Sequence, residues 1–88
     1  MSIKIVEMTP SQCRAGRALL DMSQTQLAEL ANLGLSTVVD FERKRRQVSE
    51  ASVEAILDAL KQAGVIFIDE NGSGPGVRLR KRQPKKGQ

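Results

Sequence analysis

The sequence predicts a small, mostly α-helical domain of four or five helices that ends in a short β-hairpin. Three hydroxyl residues, Thr9, Ser23 and Ser49, each precede a segment in which apolar residues recur every three or four positions, as in capped amphipathic helices. The apolar, β-branched segment 65–68 and the alternating segment 77–81 flank a Gly-rich turn, which is typical of a hairpin. A chain of 88 residues can bury one core, so we expect a single domain.

The first helix is predicted to begin at Pro10. Residues 1–8 precede it as an arm in which "IKIV", residues 3–6, is short and β-branched enough to be a strand. Thr9 is the expected N-cap, and Pro10 occupies the first helical position, where its missing N–H costs nothing. Gln12 stands three residues after the cap, so Thr9 and Gln12 can form a capping box.

The second helix is predicted to begin after Ser23 and to end at "NLG", residues 32–34. Gln26 stands in the capping-box position relative to Ser23. The expected apolar stripe of this helix consists of Leu27, Leu30 and Ala31. Asn32 tolerates the left-handed conformation that ends a helix, and Gly34 can be the next N-cap. The turn between two helices is therefore only three residues long.

A short third helix is predicted over residues 35–43, with Val38 and Phe41 facing inward. Two short helices joined by a tight turn describe a helix-turn-helix motif. Small Ala28 stands where the two helices must approach each other closely. The sequence thus predicts this motif within a helical domain that spans residues 9–64.

The C-terminal part is predicted to contain one more helix and the hairpin. Ser49 is the expected cap of this helix, and Gly64 its end. Its core stripe consists of Val53, Ile56, Leu57 and Leu60. Residues 65–82 form the predicted hairpin, a candidate dimerisation surface, in which Val77 and Leu79 are expected to face the core. Residues 83–88 are predicted to be a disordered basic tail.

The composition argues against an enzyme and against a metal site. The chain has one Cys and no His, which leaves neither a Cys/His zinc site nor a His-based catalytic triad. Cys13 falls on the inner face of the first helix, so we expect a core residue rather than a nucleophile. We expect no cofactor. The sequence contains neither an apolar stretch of bilayer length nor a signal-peptide pattern, so a cytoplasmic location without membrane contact is expected.

Positive charge is concentrated in two places. Residues 43–46, "RKRR", carry four cations, and residues 77–88 carry six, whereas the rest of the chain is net acidic. Such concentration suggests a polyanionic partner, of which nucleic acid is the first candidate.

Seven residues fit a family pattern, Q-x-x-L-A-x-x-A followed by I-x-x-(I/F)-E: Gln24, Leu27, Ala28, Ala31, Val38, Phe41 and Glu42. At these residues the sequence resembles the Cro/repressor-like, XRE-type helix-turn-helix regulators of bacteria and phages, over roughly residues 9–64. The resemblance implies a lambda-repressor-like bundle that binds double-stranded DNA as a transcriptional regulator. Two departures are Asn32, where Gly is usual, and Gly34, which replaces a Ser or Thr N-cap.

The resemblance implies that the helix Leu35–Arg43 enters the major groove. Its expected base contacts are Leu35, Ser36, Thr37, Val39 and Asp40. The apolar side chains can contact a thymine methyl, and Asp40 can accept from cytosine N4 or else remain in solvent at the rim of the groove. Phosphate contacts are expected from Gln24, by the resemblance, and from the cations just past the helix, Arg43, Lys44, Arg45 and Arg46. Arg17 and Glu42 match a structural pair that bridges the first helix and the recognition helix.

One recognition helix contacts few base pairs, so we expect a homodimer on a two-fold operator. Three alternatives share the same fold. The chain could be the DNA-binding antitoxin of a toxin–antitoxin pair, an RNA-binding module, or a protein-interaction module such as an anti-activator.

Overall fold

The structure is a computed structural model that describes residues 8–69 and 72–81. Four helices are followed by two strands within these residues: α1 (Pro10–Leu19), α2 (Gln24–Ala31), α3 (Leu35–Arg43), α4 (Glu50–Ala63), β1 (Val65–Ile68) and β2 (Gly76–Leu79). The predicted fold class, a mostly helical bundle with a C-terminal hairpin, is thereby confirmed. The predicted N-terminal strand and the tail 83–88 lie outside the described residues.

The helices begin where the sequence places hydroxyl side chains. Thr9 and Ser23 each form a complete capping box, with Gln12 and Gln26 respectively, and Ser49 accepts a hydrogen bond from the backbone N–H of Ser52. These side chains satisfy amide groups that have no partner inside the helix. The starts of three helices are therefore determined locally.

The core lies between the four helices and β1. Its buried apolar residues are Met8, Cys13, Leu27, Ala28, Val38, Ile56, Ala59, Leu60 and Val65. The helix α2 packs against α3 and α4, while α1 packs against α3, α4 and both strands. The motif helices α2 and α3 are thus supported from behind by α1 and α4. Among the described residues, none of the helices has the length and apolar composition needed to cross a lipid bilayer.

Leu30 does not belong to the core stripe of α2, contrary to the prediction, since 59% of it is exposed. On a helix with 3.6 residues per turn, the buried residues Leu27 and Ala28 and the partly buried Ala31 centre on a direction about 110° from that of Leu30. Three-residue spacing alone did not determine which side of Leu27 the core would occupy.

The strands β1 and β2 form an antiparallel pair in which Val65 is opposite Leu79 and Ile68 is opposite Gly76. Buried Gln12 links this hairpin to α1, because its Nε2 donates to the backbone oxygens of Ile68 and Gly76, at 3.3 and 3.0 Å. The same side chain accepts from the backbone N–H of Thr9 through Oε1. Gln12 therefore caps α1 and holds the turn end of the hairpin, a second role that its capping position does not indicate.

Leu79 is 44% exposed, although the alternation along β2 predicted an inward position. Its partner in the strand pair, Val65, is only 2% exposed. The core therefore covers this end of β1 but not the facing residue of β2, and the alternation along β2 did not determine where the buried part of the hairpin ends. Leu19, the last residue of α1, is also exposed.

Two glycines are expected to respond to alanine in opposite directions. A Cβ added at Gly16, inside α1, would lie 3.5 Å from Val65 Cγ1, an ordinary van der Waals distance. Gly16→Ala is therefore expected to raise the free energy of unfolding by about 0.5 to 1 kcal/mol, because alanine loses less backbone entropy in a helix. At Gly64, which ends α4 with φ of 118°, alanine is expected to cost about 1 kcal/mol or more. Urea unfolding of both variants checks this, and destabilisation by Gly16→Ala would show that α1 and β1 pack too closely for a methyl group.

Candidate nucleic-acid interface

The turn between α2 and α3 holds the two helices close together. Asn32 ends α2 in the left-handed conformation with φ of 59°, and the N–H of Leu33 returns to the carbonyl of Ala28 at 2.9 Å. Gly34 is the N-cap of α3, with extended backbone and no side-chain cap. Buried Ala28 adds little volume between the helices, which permits their close contact. The three-residue turn of a helix-turn-helix motif is therefore present, with Asn in place of the more usual Gly.

The helix α3 has a buried side and a solvent-facing side. Val38 and Glu42 are buried, one turn apart. The five predicted base-contact residues lie on the accessible part of the helix, where the first two are exposed and the other three half-buried: Leu35, Ser36, Thr37, Val39 and Asp40. Leu35 is 47% exposed at the first helical position, so a large apolar side chain stands in solvent at the N-terminal end of α3. Leu35 is not a core residue, so packing in the core does not explain an apolar side chain at this position.

The four cations predicted to contact phosphates surround the C-terminal end of α3. Arg43, Lys44, Arg45 and Arg46 are all exposed. Lys44 caps the helix in the left-handed conformation with φ of 56°, and the N–H of Arg45 returns to the carbonyl of Asp40 at 2.9 Å. The chain therefore turns back over the end of α3 and keeps these charges beside the helix. Cations at this end also interact favourably with the helix dipole.

Asp40 and Arg46 form an ion pair across this turn. Arg46 Nε lies 2.7 Å from Asp40 Oδ2. The Asp40 side chain is 18% exposed and that of Arg46 is 53% exposed. The acid on the outer side of α3 is thus largely covered, and the guanidinium bound to it is the more accessible group.

Beneath this surface, a bidentate ion pair joins α1 to α3. Arg17 donates from Nε to Glu42 Oε2 and from Nη2 to Glu42 Oε1, each at 2.7 Å. The Glu42 side chain is 1% exposed. Arg17 also donates from Nη1 to the carbonyl of Met22, in the loop between α1 and α2, at 3.0 Å. One guanidinium therefore connects α3, α1 and the loop that follows α1.

Two further donors complete the shell of Glu42. Gln24 Nε2 donates to Oε1 at 2.9 Å, and Cys13 Sγ donates to Oε2 at 3.1 Å. Gln24, predicted to contact a phosphate, is half-buried and uses one amide proton for this bond. Its second amide proton remains for an outside partner. The carboxylate of Glu42 thus receives four hydrogen bonds from side chains of α1 and α2.

These contacts determine the protonation states inside the domain. Burial alone would raise the pKa of Glu42, but the hydrogen bonds from Arg17, Cys13 and Gln24 together hold that pKa below its usual value. The hydrogen bond to Glu42 raises the pKa of Arg17 against the opposing effect of burial. Burial, with the Glu42 hydrogen bond added, raises the pKa of the Cys13 thiol far above its usual value. Cys13 stays protonated, so it serves as a buried donor and not as a nucleophile.

Arg14 also belongs to this region, although its sequence context does not indicate it. Its Nη1 donates to the backbone carbonyl of Glu42 and its Nη2 to Ser11 Oγ at 3.0 Å. Arg14 is exposed, and its contact with Glu42 places it beside the cations that follow α3. Its location on the polar side of α1 was predictable, but its proximity to the end of α3 depends on how α1 and α3 pack.

Within residues 8–69 and 72–81, no group of three or more His, Cys, Asp or Glu side chains is arranged to hold a metal ion.

Comparison with known protein families places the motif in its context. A family model described as helix-turn-helix matches residues 14–62, more than half of the chain, and this stretch includes α2, the turn, α3 and most of α4. No curated protein matches the chain.

Proposed function

The chain belongs to the Cro/repressor-like, XRE-type helix-turn-helix family of DNA-binding regulators, and from this membership we propose that it is a transcriptional regulator that binds a specific operator sequence. The recognition helix is α3, which inserts its N-terminal end into the major groove. One observation carries the proposal. Four exposed cations lie at the C-terminal end of α3, one on its last residue and three directly after it, while Glu42 on the inner side of α3 is held by donors from α1 and α2.

Base contacts are assigned to the accessible side of α3. Leu35, exposed at the first helical position, contacts a thymine methyl, and Val39 lies one turn further along the same side. Ser36 and Thr37 donate or accept hydrogen bonds at base edges. Asp40 completes the set of predicted base contacts. Its carboxylate also forms an ion pair with Arg46.

Phosphate contacts are assigned to the groups around the ends of α2 and α3. Gln24, at the first position of α2, offers its free amide proton, and the four cations of residues 43–46 lie near the phosphates that flank the recognition helix. These contacts supply affinity for any duplex and orient α3. Arg14, beside the end of α3, adds to the same positive field.

The operator is proposed to be two-fold symmetric and the protein a homodimer. A single α3 spans only a few base pairs, so two half-sites about 10 base pairs apart are needed for useful specificity. The hairpin within residues 65–82 supports a dimer surface, because Leu79 is exposed on β2 and the two-stranded sheet has free edges within the described residues.

Selection of bound sequences from a random duplex pool is the direct test. We expect enrichment of one two-fold symmetric motif, and sedimentation should detect two protein chains per selected duplex. A parallel titration with single- and double-stranded RNA tests the RNA-binding alternative. Failure to enrich any duplex motif, or tighter binding to RNA than to the selected duplex, would contradict the proposed function.

A further inference from the structure

We infer that Asp40 selects DNA sequence through Arg46: the carboxylate holds the guanidinium beside the recognition helix, and Arg46 rather than Asp40 contacts a guanine. This inference rests on the proposed function of α3. It changes the role of two residues, since Asp40 becomes a positioning residue and Arg46 a specificity-determining residue in place of a phosphate contact.

The position of Asp40 brings Arg46 back to the side of α3 that is proposed to face the groove. Asp40 is one turn beyond Ser36, or about 6 Å along the helix, on the same side. Arg46 lies past the end of α3, yet its Nε is 2.7 Å from Asp40 Oδ2. The long side chain therefore runs back towards α3, and its charged end lies beside Asp40, one turn of the helix beyond Ser36.

The exposed fractions of the two side chains indicate which one a ligand meets. Asp40 is 18% exposed and Arg46 is 53% exposed. A free carboxylate facing a polyanion is unfavourable, but here the adjacent guanidinium compensates the charge. A direct bond from Asp40 to cytosine N4 would have to use the small exposed part of a carboxylate that already accepts from Arg46.

The hydrogen-bonding capacity of Arg46 fits guanine. Its Nε is used by Asp40, and its Nη1 makes one long contact, 3.4 Å, with the carbonyl of Gln47. Its Nη2 has no hydrogen-bond partner among the residues that the structure describes. The outer N–H groups of Nη1 and Nη2 form a planar fork that matches O6 and N7 of guanine. Because Asp40 restrains the side chain in advance, less conformational freedom is lost when that contact forms.

The inference is tested with Arg46→Lys, which retains the charge but loses the planar fork, and with Asp40→Asn, which retains the shape of the side chain but loses its charge. The wild-type protein, both single variants and the double variant are titrated at fixed salt against the selected operator, against every single-base variant of one half-site, and against an unrelated duplex. Arg45→Lys is the matched control, because Arg45 is adjacent and exposed but forms no ion pair among the described residues.

We expect Arg46→Lys and Asp40→Asn each to reduce discrimination at the same G·C position, by on the order of 10- to 100-fold, and to leave discrimination elsewhere unchanged. The double variant should discriminate no less than Arg46→Lys alone, since the two residues act as one unit. Arg45→Lys, at a residue assigned to a phosphate, should change affinity for the operator, its single-base variants and the unrelated duplex by the same factor. Affinity of Arg46→Lys for the unrelated duplex should stay within about twofold of wild type, because the charge is kept.

Three results would overturn the inference while leaving the proposed function in place. In one, Asp40→Asn reduces discrimination in the Arg46→Lys variant by as much as it does in the wild-type protein. The effect of Asp40 would then not depend on Arg46, which would indicate direct contact with cytosine. In another, Asp40→Asn binds every duplex more tightly with unchanged preference, as expected of a bystander acid. In the third, Arg46→Lys retains full discrimination, so that Arg46 acts only as a charge. If the wild-type protein discriminates among no duplexes, the proposed function fails and this inference fails with it.

Discussion

Arg17→Ala is expected to lower the free energy of unfolding by about 3 to 5 kcal/mol, a large part of the stability of so small a domain. The substitution removes both hydrogen bonds of the bidentate pair and leaves the Glu42 carboxylate, 1% exposed, with only Gln24 and Cys13 as donors. A buried charge that loses its counter-ion retains its full desolvation cost. Urea unfolding near neutral pH measures the effect, and DNA affinity should fall with it because Glu42 belongs to α3.

The cost of Arg17→Ala should depend on pH. In the wild-type protein the pKa of Glu42 is below its unfolded value of about 4.3, so its stabilising contribution is present above that pH and is lost as the pH falls through the folded pKa. In the variant, burial is no longer opposed by Arg17, so the pKa of Glu42 should rise and the carboxyl should be neutral at mildly acidic pH. The difference in stability between the two proteins should therefore be largest near pH 7. It should shrink as the pH falls through the raised pKa of Glu42 in the variant, at mildly acidic values, and should be smallest below the lowered pKa of Glu42 in the wild-type protein.

Arg14→Ala is the matched control for this prediction. Arg14 lies one turn before Arg17 on α1, but it is exposed and its bond is to the backbone carbonyl of Glu42 rather than to the carboxylate. Its removal should cost about 1 kcal/mol or less and should show little dependence on pH. Equal losses in the two variants, or a loss in Arg17→Ala that is constant between pH 7 and pH 3, would show that the buried pair is not what Arg17 contributes.

Replacing three of the four cations at the C-terminal end of α3 should weaken binding to every duplex, by on the order of 100-fold at about 0.1 M salt. The variant combines Arg43→Ala, Lys44→Asn and Arg45→Ala, and asparagine is chosen because residue 44 has a φ of 56°, which it tolerates. If each cation neutralises one phosphate, the slope of log K against log salt should become less negative by about 2.7. Base preference should not change, because Arg46 remains. Titrations of the operator and an unrelated duplex at several salt concentrations measure both quantities.

A control with the same loss of charge separates contact from net charge. Arg78, Arg80 and Lys81 are exposed on or just after β2, so replacing them with glutamine removes three cations elsewhere. This control should lower affinity less and leave most of the salt slope. If both triple variants changed the slope equally, residues 43–46 would contribute only to the overall charge of the protein.

Local signals were sufficient wherever a few neighbouring residues decide the structure. Thr9 with Gln12 and Ser23 with Gln26 form the predicted capping boxes, and Asn32 adopts the predicted left-handed conformation. A cap joins groups three residues apart, so its geometry depends little on the rest of the chain. The same applies to the hairpin, because its strands are adjacent in sequence and their turn is rich in glycine.

Local periodicity failed where burial depends on a second element. Leu30 is three residues from buried Leu27 on α2, and Leu79 is two residues from Val77 on the same face of β2. Leu30 and Leu79 are nevertheless exposed. A period identifies which residues share a face, whereas the packed neighbour determines how wide the buried part of that face is and where it ends. Leu30 lies at the edge of the contact between α2 and α4, where it lines a cavity with Ala59 and Ala63, and Leu79 is exposed although it is opposite buried Val65.

The sequence by itself determined the order and caps of the helices, the three-residue turn and the position of four cations at the C-terminal end of α3, because each depends on residues close together in the chain. Only the tertiary structure decided that Gln24 would join Arg17 in donating to Glu42, that Arg14 would lie beside the end of α3, and that Arg46 would bind Asp40. These are pairings of long polar side chains with several rotatable bonds each. Which partner such a side chain reaches depends on how the helices pack and on which groups that packing removes from water.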